Sequence, residues 1–281
     1  MTALIKIYAT TLSLLFTGFV SGCNDDSTSA NDIPEIEGYE LVWNDEFNKD
    51  GLPDSENWGY DVGGHGWGNN ELQEYTAKDL KTARVEDGNL IITAFLISST
   101  SGKSYRSARL VTRDKHAWKY GRIEMRAQLP GGRGTWPAFW MLPEEWNYGN
   151  GSWPDNGEID IMEYVGYEPN VIHGTVHTDE RNHTQGTQAG ASVQVGGVEN
   201  EFHVYALEWD EDKITISVDG HEYFEYLNEG RGWEYWPFDK EFHIILNTAI
   251  GGNWGGAQGV DDTIFPQQFV IDYVRVYQEV E

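Results

Sequence analysis

Apolar residues in this chain recur at every second position over short runs, and no long stretch holds the three-to-four-residue spacing of a helix. Arg122-Ile123-Glu124-Met125-Arg126-Ala127 alternates polar and apolar, as does Lys213-Ile214-Thr215-Ile216-Ser217-Val218. A period of two sends successive side chains to opposite faces of a strand, one facing a core. Asp219-Gly220 separates the second run from the aromatic-rich Tyr223-Phe224-Glu225-Tyr226, which is the signature of a hairpin. Asn89 to Ala94 forms another strand behind the turn Asp87-Gly88, and Val270 to Tyr277 supplies a closing one. Many short strands joined by glycine-rich turns predict an all-β sandwich.

The 281 residues suffice for one large domain, and 39% hydrophobic residues support a real core. The formal net charge of -27 disfavours nucleic acid, anionic membrane surfaces and strongly sulfated or carboxylated polymers. A neutral substrate fits better. Twelve Trp and 15 Tyr are high counts, and such rings often form stacking surfaces.

The one cysteine, Cys23, excludes an intramolecular disulfide. Ahead of it, Lys6 and an apolar run from Ile7 to Val20 read as a signal peptide, too short for a spanning helix. Val20-Ser21-Gly22-Cys23 resembles a bacterial lipobox, whose cysteine carries lipid and becomes the mature N-terminus. The expected organisation is a signal peptide over residues 1–22, a lipidated Cys23 with a flexible acidic tether over 23–36, and one globular domain over 37–281. Such a protein is held at the bacterial cell envelope, at the outer membrane or cell surface, touching the membrane through its lipid alone.

Gly157-Glu158-Ile159-Asp160-Ile161-Met162-Glu163-Tyr164 places three acids within six residues. On a regular strand Glu158 and Asp160 share a face while Ile159 and Ile161 enter the core. Glu163 would face the other way, unless a single β-bulge near Met162 restores it to the row. Two readings fit this spacing: a solvated acidic strand face, or a catalytic row. Against the first, nothing basic is interleaved to offset the repulsion.

Trp153-Pro154-Asp155-Asn156-Gly157-Glu158-Ile159-Asp160-Ile161-Met162-Glu163 resembles the active-site signature of glycoside hydrolase family 16, in its bulged, laminarinase-like form. Asn69-Asn70-Glu71-Leu72-Gln73, Ser107-Ala108-Arg109-Leu110, Gly134 through Leu142 and Gly251-Gly252-Asn253-Trp254 are similar to laminarinase motifs in the family's order. The resemblance implies a β-jelly-roll of two curved antiparallel sheets with a concave substrate cleft. It implies Glu158 as nucleophile, Glu163 as general acid/base and Asp160 as their assistant. Trp136, Trp140, Trp153 and Trp254 are expected as sugar platforms, with Asn70, Arg109 and His177 as polar partners of the substrate.

The histidines His173 and His177 are four apart, a weak metal signal by themselves, and His173 is read as structural. His183, His203, His221 and His243 are read as structural or solvated, and Trp43 and Trp209 as core. No cofactor is expected in catalysis. The resemblance implies a structural calcium ion, with Glu46, the Gly88 carbonyl and Asp272 at the matching positions. The expected activity is retaining endo-hydrolysis of β-1,3-glucan by a tethered monomer that binds no nucleic acid. The alternatives are mixed-linkage β-1,3(4)-glucanase, agarase or carrageenase activity, and a non-catalytic glycan-binding lipoprotein.

Overall fold

The computed structural model describes residues 33–99 and 102–280. Residues 1–32, with the expected signal peptide, Cys23 and most of the tether, lie outside the described residues. Seventeen strands follow in chain order: β1 (Tyr39–Asp45), β2 (Gly59–Tyr60), β3 (Gln73–Tyr75), β4 (Ala83–Glu86), β5 (Asn89–Ser99), β6 (Gly102–Ser107), β7 (Arg109–Val111), β8 (Gly121–Gln128) and β9 (Thr135–Pro143). They continue as β10 (Glu158–Glu163), β11 (Val171–His177), β12 (Ala189–Gln194), β13 (His203–Trp209), β14 (Lys213–Val218), β15 (His221–Leu227), β16 (Phe242–Ile250) and β17 (Gln267–Glu279). The only helix among the described residues is one 3-10 turn at Asp262–Ile264.

The strands form two sheets, the all-β jelly-roll sandwich that the alternation and the motifs predict. The ten-stranded sheet runs β15-β14-β13-β8-β17-β5-β6-β3, with β1 beside β17 and β4 beside β5. The seven-stranded sheet runs β12-β11-β10-β9-β16-β7-β2. Pairing is antiparallel throughout except between β3 and β6, which run parallel. β3 has only three residues and reaches that edge by a loop connection, so it is free of the hairpin constraint that makes neighbours antiparallel.

The predicted turns are present. Asp219 and Gly220 take φ of 51° and 74°, the left-handed pair that joins strands by a two-residue hairpin. Asp87 and Gly88 do the same between β4 and β5. The core lies between the sheets. Ile123 and Met125 of β8, Leu207 of β13 and Ile216 of β14 face Phe139 and Met141 of β9, Ile159 of β10 and Leu246 of β16. Trp209 is buried in this core and Trp43 packs against it, as expected.

Two central strands of the smaller sheet carry the cleft on their outer faces. In β9, Phe139 and Met141 enter the core while Trp136, Ala138, Trp140 and Leu142 line the cleft. In β16, Phe242, Ile244 and Leu246 enter the core while Asn247 and Ala249 line the cleft floor. Period two thus separates a packing face from a chemical one.

Candidate active site

β10 departs from regular pairing at one place. Against β9, Asp160 pairs with Trp140 but Met162 pairs with Phe139, so Ile161 is the extra residue. Against β11 the register also shifts between Asp160 and Glu163. Ile161 and Met162 are both fully buried in the core. Two successive core-facing residues return Glu163 to the side of Glu158 and Asp160, and all three acids line the cleft.

The turn before β10 is built to hold an indole over this row. Asn156 is fully buried; its oxygen accepts the Tyr148 amide at 2.9 Å and its amide group donates to the Tyr148 carbonyl at 3.2 Å. Asp155 accepts the Asn150 amide at 2.7 Å. Gly157 takes φ of 88°, and a Cβ there would come within 2.9 Å of Pro237 and Phe238. The braced turn delivers Trp153, whose Nε1 donates to Glu158 Oε2 at 2.8 Å. On the other side Trp136 Nε1 donates to Glu163 Oε1 at 3.0 Å. Each outer acid therefore carries one indole N–H.

Asp160 lies between them and is 3% exposed. His177 Nε2 sits 3.3 Å from Asp160 Oδ2 and 3.9 Å from Glu158 Oε1. Burial pushes the Glu158 carboxyl up to about 8; Asp160 adds to the rise, while His177 and the Trp153 N–H oppose it. Burial likewise pushes Glu163 up to about 7, against His177 and the Trp136 N–H. Burial first, then the charge of Glu163, holds Asp160 well above the usual carboxylate range. Glu158 and Asp160 sit close enough that each shifts the titration of the other. Three carboxyls so placed cannot all ionise together, and the row titrates as one coupled set.

Two adjoining hollows of about 420 and 520 Å³ meet at this row, and both are lined by Trp136, Glu158 and Glu163. The first arm holds Trp67, Arg109, Trp140 and Trp146. Arg109 lies 4.6 Å from the Trp140 ring centre and 4.8 Å from that of Trp67, with Nε 3.1 Å from Asp61. The second arm holds Trp254, His173 and Ser192. Trp254 meets Trp136 edge to face at 5.5 Å and His173 at 4.9 Å. Indoles and hydroxyl-bonding groups on both sides of paired carboxyls suit a chain of sugar rings passing through.

Trp136, Trp140, Trp153, Trp254, Arg109 and His177 are brought to the cleft as the motifs implied. Asn70 stands at the exposed rim with φ of 58° and donates at 2.8 Å to Oδ1 of Asn253, which lines the second arm. Its neighbours Asn69 and Glu71 line the cleft. The reading of His173 and His183 as structural or solvated needs correction. His173 lines the second arm, and His183 lines both, packed 4.9 Å from Trp153 and 5.1 Å from His177. Trp67, Trp146, Glu71 and Asn247 were not anticipated. Asn247 carried a signal, as an amide directly after the apolar run Ile244-Ile245-Leu246.

The carboxylates expected at a calcium ion have other partners. Both oxygens of Glu46 accept from Arg275, each at 2.8 Å, and Asp272 Oδ2 accepts from Arg126 at 2.6 Å. A cation here would share the Glu46 oxygens with Arg275, while Arg126 engages only Oδ2 of Asp272. Among the described residues, the one group of three acidic or histidine ligands close enough to share an ion is Glu158, Asp160 and His177, whose ligand atoms lie within 4.8 Å.

The family model for glycosyl hydrolases family 16 matches residues 69–275. The chain is 57% identical over 248 residues to a beta-glucanase of Rhodothermus marinus, covering 86% of each. Among solved structures, the laminarinase from Rhodothermus marinus superposes with a TM-score of 0.84 at 56% identity, covering 86% of this chain and 98% of that one. The E144S mutant of SCLam, a non-specific endo-beta-1,3(4)-glucanase, superposes with a TM-score of 0.82 at 45% identity, over 87% of this chain and 96% of that one. That structure presents a 1,3-beta-D-cellobiosyl-glucose at its active site.

Proposed function

The chain belongs to glycosyl hydrolases family 16, and from that premise we propose that it cuts β-1,3-glucosidic bonds within laminarin-type glucans with retention of configuration. The observation that carries this reading is the position of the acids. The bulged row lies where two open, indole-lined arms meet, so a neutral chain can extend past the reacting bond in both directions. An enzyme that trims chain ends needs one arm closed.

In this mechanism Glu158 attacks the anomeric carbon while Glu163 protonates the departing glycosidic oxygen. Glu163 then takes a proton from water, which releases the sugar from Glu158. Retaining glycosidases hold such carboxyls roughly 5–5.5 Å apart. In this mechanism Asp160 holds a proton beside Glu158 and stabilises its carboxylate before attack and after release. Trp153 orients Glu158 and Trp136 orients Glu163. Cleavage of mixed β-1,3/1,4 glucan is the second reading, favoured by the relative described as a non-specific endo-beta-1,3(4)-glucanase.

Reducing-sugar release by the domain from Glu37 onward, on laminarin, mixed-linkage glucan, agarose and carrageenan side by side, tests both. Early release of a ladder of oligosaccharides from laminarin supports the endo reading. Activity confined to a galactan removes it.

The N-terminal segment supports a lipid anchor at Cys23, which holds the enzyme at the cell envelope beside its substrate as a monomer. Cys23→Ser should shift the protein from the membrane fraction to the soluble one. A structural calcium is proposed at Glu46, the Gly88 carbonyl and Asp272, where it would share the carboxylates with Arg275 and Arg126. A melting temperature that falls with chelator and returns with calcium supports it; an unchanged one removes it.

A further inference from the structure

Beneath the Trp140 arm a chain of hydrogen bonds runs in one direction and ends on Glu71. Trp140 Nε1 donates to Asn247 Oδ1 at 2.7 Å, Asn247 Nδ2 donates to the Tyr75 hydroxyl at 3.0 Å, and that hydroxyl donates to Glu71 Oε2 at 3.4 Å. Gln73 Nε2 donates to the same Oε2 at 2.6 Å. The Gln73 oxygen is itself held by the Ile250 amide at 2.7 Å, so Gln73 cannot flip and offer an acceptor instead. Gln73 and Tyr75 are 1% exposed and Asn247 is 6% exposed, which keeps water out of the relay. A main-chain bridge to Gly251 fixes Glu71 from the other side.

Every bond in this relay points toward the Glu71 carboxylate, and the two nearest donors converge on one of its oxygens. The other oxygen, Oε1, has only a long 3.4 Å contact from Asn69 Nδ2, and the residue lines the cleft. A half-buried carboxylate with spare acceptor capacity is incomplete until a donor arrives. Arg109, stacked on Trp67 and Trp140 beside it, supplies donors but no acceptor.

We propose that Glu71 is a specificity-determining residue of the cleft, accepting a hydrogen bond from a sugar hydroxyl seated on the Trp140 arm. This rests on the glucanase reading above and names the chemistry that the arm selects. The hydroxyl donates to Glu71 and its ring lies against the indoles. A sulfate ester at the same position has no proton to give and brings a like charge, so the arm rejects it. The same relay that orders Glu71 orients Trp140, coupling the acceptor to the platform.

The test is kcat/KM for β-1,3-linked glucose oligosaccharides of two to six units, measured for the wild type, Glu71→Gln and Glu71→Ala. Glu71→Gln keeps the Gln73 bond through its amide oxygen and turns an NH2 group toward the cleft, so it isolates the cleft-facing atom. The wild type gains kcat/KM with each added glucose as the arm fills. In both variants one of those steps is lost, leaving the longest oligosaccharide about 10- to 100-fold slower and the shortest cleaved one within about threefold. A fall of equal size at every length means a structural role, and no fall at any length means that no hydroxyl binds there; either result overturns the proposal. A wild type that cleaves none of these oligosaccharides removes the glucanase reading instead.

Discussion

Trp136 and Glu163 are joined by a hydrogen bond of 3.0 Å from the indole N–H to a carboxyl oxygen, and the same indole meets Trp254 edge to face. The proton donor of the mechanism and a sugar platform are thus held by one side chain. The N–H favours the ionised carboxyl and so works against the burial that raises Glu163. Trp136→Phe keeps a ring and removes the donor. The Glu163 pKa then rises further, and the activity profile of the coupled row moves to higher pH. With the carboxyl less firmly oriented, kcat should fall about tenfold, more than KM changes. An unmoved pH profile would separate Trp136 from the acid.

Turnover needs Glu158 to have lost its proton and Glu163 to have kept one. Below the lower apparent pKa the nucleophile is protonated, and above the upper one the acid is lost, so kcat/KM follows a bell. Burial raises both outer acids, to about 8 and about 7. The bell should therefore centre near neutrality and not near pH 4–5, where two solvated carboxyls would place it. The limbs belong to the coupled row, not to single residues. A pH profile of kcat/KM on a soluble oligosaccharide checks this, and an optimum below about pH 5 contradicts it.

The raised pKa values also set a cost in stability. The folded state binds these protons more tightly than the unfolded chain does. That stability is fully present below the ordinary carboxyl pKa and is lost as pH rises through about 7 to 8. Glu158→Gln and Glu163→Gln remove a buried charge that must otherwise form. Both variants should be inactive yet melt higher than the wild type at pH 8, by roughly 3–8 °C, with little difference at pH 5. Calorimetric melting at the two pH values decides it, and a lower melting point at pH 8 would contradict the burial argument.

The sandwich was legible because alternation is a local property, written into each strand. The bulge was legible too, since three acids five positions apart can share a face in no simpler way. The parallel β3–β6 edge was not, because a three-residue strand carries no period to read. Asn70 stands at the rim, one residue from the cleft-lining Asn69 and Glu71, for a related reason. Its motif gives composition, but its positive φ decides which neighbour faces the cleft. Glu71 and His183 gain their place from Asn247 and Trp153, far off in sequence or across a loop, and no spacing announces such contacts.

Arg275 and Glu46 form a bidentate pair at two distances of 2.8 Å, with both side chains at most 6% exposed. Glu46 follows β1 and Arg275 lies within β17, so the pair ties the start of the domain to its last strand. Arg275→Met leaves the Glu46 carboxylate buried and unpaired, at about 3–5 kcal/mol. Glu46→Gln leaves the guanidinium in the same position and should cost a comparable amount. The double variant removes both charges and should lose less than the two single losses summed. Denaturant unfolding of the three variants measures the coupling. Additive losses would mean that the pair is held by its neighbours and links nothing.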